Sequence, residues 1–267
     1  HYIADVILLS AVFSLFVWTV TGNVLSAVLS FLPLWQLCRC ICDRAYSYRK
    51  NPVYTPRLSM DECPKTLVTV ITLIASTRDL DELAGKCEQY YMSNPTPGLH
   101  FGVLADLPSS ETELTADDMS LIKYAKIKFA ELNTRLGNRF FFAIRRKSYS
   151  EESGKYAGKE RKRGAINDLL LYVSSPEAYS SRFVGMVGDI SGAKYFAALD
   201  NDTRSGVDSV RQLVGVLEHP LSQPVYNPEQ TAVVSGYAIA APRMEATLSS
   251  ACRSLFTRMV GGNGGSE

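Results

Sequence analysis

The feature that most constrains this chain is the stretch 6–37, in which 32 consecutive residues carry no charge. A helix needs about 20 apolar residues to cross the hydrocarbon core of a bilayer. Core helices of soluble proteins seldom stay uncharged for so long. Gly22 and Asn23 interrupt the stretch, and Pro33 falls within it. The pattern predicts either a spanning helix near residues 3–22 followed by an apolar helix at the interface, or one tilted span. We therefore expect a contact with a lipid bilayer.

The residues that follow this stretch are basic. One acid, Asp43, accompanies five basic residues before Ser59, which are Arg39, Arg44, Arg49, Lys50 and Arg57. Because basic residues mark the cytoplasmic side of membrane segments, the remainder of the chain is expected in the cytoplasm. We predict membrane and juxtamembrane helices at 1–45, a proline-containing connector at 46–64 and a globular domain at 65–267. The chain starts at His1 without an initiator methionine, so we expect a piece of a longer protein, truncated at its C-terminus.

From Lys65 onward, strand and helix patterns alternate. Runs of β-branched and aromatic residues predict five strands, at 66–75, 99–107, 139–147, 194–200 and 231–244. Helical spacing, early acids and terminal glycines predict helices between them, at 79–94, 115–137, 159–175 and 206–220. Such alternation favours an α/β fold with a mostly parallel sheet and flanking helices. Ligands of these sheets bind outside the carboxyl ends of the strands.

Charged residues lie at the predicted strand ends. The segment 76–79 follows the first strand, Asp106 ends the second, the basic run 145–147 ends the third, and Asp200 and Asp202 follow the fourth. Side chains at positions i and i+2 of an extended segment point to the same side, so these last two acids can converge on one ion or ligand. An unpaired buried carboxylate is costly. The alternatives are therefore a solvated acidic turn and a site for something cationic.

A basic segment, "GKYAGKERKRGAIN" (154–167), leads into the third predicted helix. Lys and Arg bind phosphate oxygens, and Mg²⁺ or Mn²⁺ accepts both carboxylate and phosphate oxygens. Acids and bases at one sheet edge therefore favour an anionic ligand held through a divalent cation, although a solvated basic face is the alternative. A net charge of +1 and the lack of an evident aromatic stacking platform argue against nucleic-acid binding.

Six segments carry a resemblance to a known family, in the order "TLVTVITLI", "LHFGVLAD", "GKERKRGAINDLL", "ALDNDT", "RQLVGVLEHPLSQP" and "VVSGYAIAAPRM". Together they resemble the glycosyltransferase region of cyclic β-1,2-glucan synthases, within the membrane-embedded GT-A glycosyltransferases. The resemblance covers most of residues 65–262. It implies a GT-A, Rossmann-like fold and the inverting transfer of glucose from UDP-glucose to a growing β-1,2-glucan acceptor. It also implies a multi-pass protein of the inner (cytoplasmic) membrane.

The resemblance implies roles for the acids at the strand ends. Asp106 takes the place of an acid that binds the donor nucleotide. Asp200 and Asp202 match the family's D-x-D motif. By this match Asp200 contacts the donor sugar or ribose, and Asp202 coordinates the Mg²⁺ or Mn²⁺ that bridges the diphosphate.

The resemblance also places the basic segment near the donor. Lys162 and Arg163 precede a helix that matches the family's "K-x-x-x-L-N" element, with Asn167 in the Asn position. An inverting transfer needs a general base for the acceptor hydroxyl, usually a carboxylate. In the family this base lies downstream of the D-x-D. We expect it outside this chain, and we therefore expect the fragment alone to be inactive.

Some positions depart from the family pattern, among them Ala165 where Lys is frequent and Ala241 where Gln is usual. These departures leave the acceptor and the linkage open. One alternative is therefore another membrane GT-A polysaccharide synthase with a different linkage. A second alternative, of another class, is a module that binds a nucleotide sugar without turning it over.

Overall fold

The computed structural model describes residues 2–49 and 55–242, with a few further positions at 247, 250 and 252–254. Two compact units are present, one containing the N-terminal helices and the other spanning Pro56–Pro242. The predicted domain bounds at 1–45, 46–64 and 65–267 stay a prediction.

The N-terminal unit is a helical hairpin. Its helices are α1 (Tyr2–Thr21) and α2 (Val24–Arg49). Gly22 adopts φ +63 between them, and the Asn23 side chain accepts a hydrogen bond from the backbone N–H of Leu25 at 2.9 Å. Each helix is long and apolar enough to cross a membrane, by length and composition alone. The break therefore falls where the sequence predicts it, but the second helix also reaches spanning length.

Polar contacts join the open ends of this hairpin. The Tyr2 hydroxyl donates to Asp43, and the Tyr46 hydroxyl donates to Asp5. The two helices therefore run antiparallel, with their few carboxylates in contact with tyrosines at one end.

The second unit is built from strands and helices that follow one another along the chain. In order they are β1 (Thr66–Leu73), α3 (Thr77–Ser93), β2 (Leu99–Asp106), α4 (Ala116–Leu136), β3 (Phe140–Arg145), β4 (Ser148–Ser150), β5 (Lys155–Ala157), α5 (Arg161–Ser174), α6 (Pro176–Tyr179), β6 (Phe183–Val187), β7 (Tyr195–Asp200), α7 (Ser209–Glu218), β8 (Val225–Tyr226) and β9 (Val233–Ser235). Two short 3-10 turns cover Ser180–Arg182 and Pro220–Ser222.

Five of these strands form the central sheet, in the order β6-β3-β2-β1-β7. All neighbouring pairs are parallel except β3 and β6. The predicted α/β fold with a mostly parallel sheet and flanking helices is confirmed. The chain leaves β1 on one side to form β2 and β3, and later returns on the other side as β7. The order of the strands thus reverses at β1, which is where ligands of open α/β sheets bind.

Helices cover both faces of the sheet. Leu80 of α3, Phe129 of α4 and Val214 of α7 pack in one core. Ala165 and Leu169 of α5 pack in a second core with the opposite-facing strand residues. Because both faces are buried, the central strands are continuously apolar rather than alternating.

The starts of α3 and α4 carry matching caps. Ser76 and Asp79 form a capping box at α3, and Thr115 and Asp118 form one at α4. The predicted N-cap at Thr115 is therefore confirmed. Asp79, one of the strand-end acids, accepts hydrogen bonds from the backbone N–H groups of Ala75 and Ser76. The Ala75 hydrogen bond, with the others, holds the pKa of Asp79 below its ordinary value. Its carboxylate serves the helix start.

The prediction of the fifth strand is wrong, and one strand of the central sheet was not predicted. The predicted strand at 231–244 forms only Val233–Ser235, which pairs with β8 outside the central sheet. Gly236 adopts φ +78 directly afterwards and ends the extended run; positions 243 and 244 lie outside the described residues. The strand that was not predicted is β6, a five-residue edge strand that contains Gly185 and lacks a clear strand pattern.

Candidate functional site

The register of the sheet places two of the predicted acids on either side of β1. Leu73 pairs with Asp106 of β2, and Ile71 pairs with Asp200 of β7. Both acids are the last residues of their strands. They therefore flank the end of β1 at the position where the strand order reverses, the expected ligand position in such sheets.

Asp200 begins a short acidic turn, Asp200–Thr203, which we call the acid turn. The Thr203 N–H donates to the Asp200 carbonyl at 3.0 Å. Asp200 has a side chain that is 60% exposed and forms an ion pair with Lys162. Asp202 lies within the turn and is exposed. Because β7 ends at Asp200, the i, i+2 rule for extended segments does not extend to Asp202. Convergence of the two carboxylates therefore stays a prediction.

Helix α3 holds the acid turn and the loop after it. Lys86 Nζ donates to both the backbone and the side-chain oxygen of Asn201, each at 2.6 Å. The Tyr90 hydroxyl donates to the Thr203 carbonyl at 2.5 Å, and burial raises the pKa of Tyr90. Lys86 and Tyr90 were not predicted as site residues. Their signal is only a helical position on α3, which says nothing about a loop more than 100 residues later.

Asp106, on the other side of β1, is fully engaged by Arg145. Arg145 Nε donates to Oδ1 at 2.8 Å and Nη2 donates to Oδ2 at 2.7 Å. The Arg145 side chain is 2% exposed and that of Asp106 is 14% exposed. The structure thus gives this carboxylate a buried protein partner. Its predicted contact with a nucleotide stays a prediction.

Arg145 also binds the segment that leads into α5. It donates to the carbonyls of Lys159 at 2.6 Å and Arg161 at 3.2 Å, and to Asp168 at 3.3 Å. We call Arg145 with these partners and Asp106 the arginine cluster. Burial alone would lower the pKa of Arg145, but the carboxylates of Asp106 and Asp168 outweigh it and raise the pKa. Arg145 stays charged and ties β2, β3 and α5 together.

Two glycines make room for this cluster. A Cβ on Gly158 would lie 2.6 Å from Arg145 Nη2, and one on Gly164 would lie 2.7 Å from Nη1. Between them, Glu160 and Arg161 adopt φ values of 56 and 39, in a region that costs non-glycine residues about 1–3 kcal/mol each. The arginine cluster therefore holds the start of α5 in a strained backbone conformation.

The start of α5 delivers one of its two predicted basic residues to the acid turn. Lys162 reaches across to Asp200. Arg163 instead pairs with Glu160, at 3.1 Å, and is 85% exposed. The structure thus brings Lys162 and Asp200 together, whereas Arg163 contacts none of the predicted acids.

A divalent cation at the acid turn would find few protein ligands. Among the described residues, no group of three His, Cys, Asp or Glu side chains is arranged to hold a metal. Carboxylate oxygens suit Mg²⁺ and Mn²⁺, but Asp200 is already neutralised by Lys162. The residues fit a cation only if a bound ligand, such as a diphosphate, supplies further oxygens.

Comparison with known proteins supports the resemblance seen in the sequence. No protein-family model matches the chain. It is 37% identical over 206 residues to cyclic beta-(1,2)-glucan synthase NdvB of Rhizobium meliloti (strain 1021). The alignment covers 73% of this chain and 7% of that protein. The predicted resemblance is therefore confirmed for a small part of the relative's length.

Proposed function

We propose that this chain, similar to part of a cyclic β-1,2-glucan synthase, carries the donor-binding region of an inverting GT-A glycosyltransferase. Its donor is UDP-glucose, and its acceptor is a growing β-1,2-glucan. The observation that carries the proposal is the ion pair between Lys162 and Asp200 where the strand order reverses. Lys162, a side chain of the type that binds phosphate, meets Asp200, the first acid of the predicted D-x-D motif, at the expected ligand position.

Each predicted residue then binds a different part of the donor. Asp202 would hold Mg²⁺ or Mn²⁺, and the bound cation would supply positive charge to stabilise the leaving group. Lys162 moves from Asp200 to a phosphate oxygen, which leaves Asp200 free to contact the sugar or ribose. Asp106 and Arg163 complete the predicted nucleotide-binding set, with Asp106 fixed by Arg145.

The transfer breaks the bond between the anomeric carbon of glucose and the diphosphate oxygen. The electron pair of that bond leaves with UDP, and positive charge develops on the sugar ring. The acceptor hydroxyl oxygen forms the new bond from the opposite face, and its proton passes to a general base. Lys162 stabilises the negative charge that builds on the diphosphate.

The apolar hairpin supports attachment of this region to a membrane. Helices α1 and α2 each have the length and composition of a span, and Arg39, Arg44 and Arg49 lie in the C-terminal half of α2. We propose that the hairpin lies in the inner membrane of a multi-pass protein and that the second unit faces the cytoplasm. A cytoplasmic position gives the site access to UDP-glucose.

The test is glucose transfer by the full-length protein in membranes. Labelled UDP-glucose is supplied with Mg²⁺ or Mn²⁺, and the product is analysed for its glycosidic linkage. Asp202→Ala is expected to reduce transfer at least a hundredfold, since it removes the protein's metal ligand. Asp61→Ala, a change of another exposed acid, is the control and is expected to retain activity. Unchanged transfer by Asp202→Ala would show that the acid turn is only a solvated turn. A product with a linkage other than β-1,2 would show that the protein makes a different glucan.

A further inference from the structure

A cavity lies beside the arginine cluster. This polar cleft of about 380 Å³ is formed by residues that follow β3, by the start of α5 and by the segment before β6. Its volume falls within the roughly 300–1,000 Å³ usual for small-ligand pockets. Neither Asp200, Asp202 nor Lys162 lines it. The cleft is therefore separate from the acid turn.

Apart from Lys159, the charged side chains that line the cleft are paired with opposite charges. Asp168 contacts both Arg145 and Arg182, and Arg146 donates to Glu113 at 2.5 Å. Paired charges of this kind leave little net attraction for an anion. They do hold hydrogen-bond donors and acceptors side by side in fixed positions. This chemistry suits a neutral ligand that both donates and accepts hydrogen bonds.

Asn167 adds an unused polar group to the same cleft. Its side chain is exposed and lines the cleft, and within the described ranges it has no hydrogen-bond partner. The amide offers an acceptor oxygen and two N–H donors. Arg182 lies nearby in the lining, with its guanidinium over the Tyr179 ring at 5.2 Å. The cleft thus presents the amide of Asn167, which is available to a ligand, beside charged groups that are already paired.

We propose that this cleft binds a short neutral saccharide, a segment of the glucan on which the protein acts. The choice of sugar rests on the proposed function, whereas the binding site rests on the cleft. Adjacent hydroxyls of a hexose each donate and accept hydrogen bonds, so one pair of them matches the Oδ1 and Nδ2 atoms of Asn167. In this arrangement the cleft binds the glucan and the acid turn binds the diphosphate of the donor.

The test uses the full-length protein and sophorose, the disaccharide of two β-1,2-linked glucoses. Hydrogen–deuterium exchange localises binding within the long chain, because the backbone at 164–168 includes the cleft residues Gly164, Asn167 and Asp168 and excludes Lys162 of the donor site. Sophorose is expected to protect that segment in the unmodified protein. Asn167→Ala is expected to raise the half-protecting sophorose concentration roughly tenfold, the effect of losing about one good hydrogen-bonded contact. Arg135→Ala, at an exposed arginine on α4, is the control.

Each other outcome is decisive. No protection by sophorose, or equal protection in Asn167→Ala, overturns the proposal. If inorganic phosphate protects the segment and sophorose does not compete with that phosphate, the cleft is an anion site and the proposal is overturned. Asp202→Ala is expected to keep the sophorose protection. If glucose transfer proves absent while this protection persists and depends on Asn167, the proposed function falls and the saccharide cleft stands.

Discussion

The strands on the two sides of β1 both end in an acid, but the two acids differ in exposure and in the burial of their partners. Asp106 is 14% exposed and held by the nearly buried Arg145, whereas Asp200 is 60% exposed and meets Lys162, which is itself 46% exposed. A buried ion pair is hard to break because either partner alone would be left uncompensated. An exposed pair contributes little and exchanges partners easily. Asp106 therefore helps to fix the scaffold, whereas Asp200 stays available to a ligand.

Replacing Arg145 tests the scaffold side most severely. Arg145→Ala leaves Asp106 and Asp168 without their shared partner and is expected to cost about 3–5 kcal/mol of the free energy of unfolding. Denaturant unfolding of the full-length protein, followed by exchange protection at 159–168, measures this locally. Arg145→Lys is expected to recover only part of the loss, because an ammonium cannot make the bidentate contact. A loss no larger than that of the exposed Arg135→Ala would erase the distinction between the two sides.

Filling the space at Gly158 tests the same side more gently. Gly158→Ala places a methyl group 2.6 Å from Arg145 Nη2 and from Asp106 Oδ2, so we expect a destabilisation of about 1–3 kcal/mol. Gly85→Ala is the matched control. No atom lies within 4 Å of its added Cβ, and alanine in a helix is expected to stabilise by about 0.5–1 kcal/mol. Thermal unfolding distinguishes the two, and equal effects would show that the arginine cluster yields freely.

The ligand side is tested by Lys162. Lys162→Ala is expected to change the free energy of unfolding by less than about 1 kcal/mol, since its ion pair is exposed. It is expected to raise KM for UDP-glucose roughly tenfold or more, through loss of a charged contact to phosphate. Kinetics and denaturant unfolding of the same preparation measure both quantities. A large loss of stability with unchanged KM would make this pair a scaffold contact like the one at Asp106.

The smallest expected effect concerns Asp79, an acid that serves a helix start rather than either side. Its pKa is held below the ordinary value of 3.8, chiefly by the Ala75 N–H. Stability from a depressed pKa is present above the unfolded value and is lost as pH falls through the folded value. Asp79→Ala is therefore expected to cost up to about 1 kcal/mol near neutral pH, and the difference should shrink below pH 3.8. A difference that is constant from pH 7 to pH 3 would contradict this account.

The sequence predicted the elements that follow from local pattern. The buried runs at β1, β2 and β3 and the capped start of α4 needed no tertiary information. The strand ends at Asp106 and Asp200 were also predicted, and with them the acids that flank β1. Residue roles at the two ends stay predictions.

The partners of those acids were harder to predict. Arg145 was visible only as part of a basic run at a strand end, and its contacts depend on carbonyls more than ten residues away. Glu160 and Arg161 adopt positive φ values although neither is a glycine, so the sequence gives no sign of this backbone conformation. Long-range side-chain contacts leave no periodic signal, so the anchoring of the acid turn by Lys86 and Tyr90 required the structure.

Strand β7 ends the described sheet, since its only neighbour in that sheet is β1. The free backbone edge of such a strand presents a row of N–H and C=O groups ready to pair with another strand. Asp200 stands at the end of this row. Any further strand that joined the sheet here would extend it by one position and would run directly alongside the approach to the acid turn. Sheet growth and access to the acid turn therefore share one edge of the sheet.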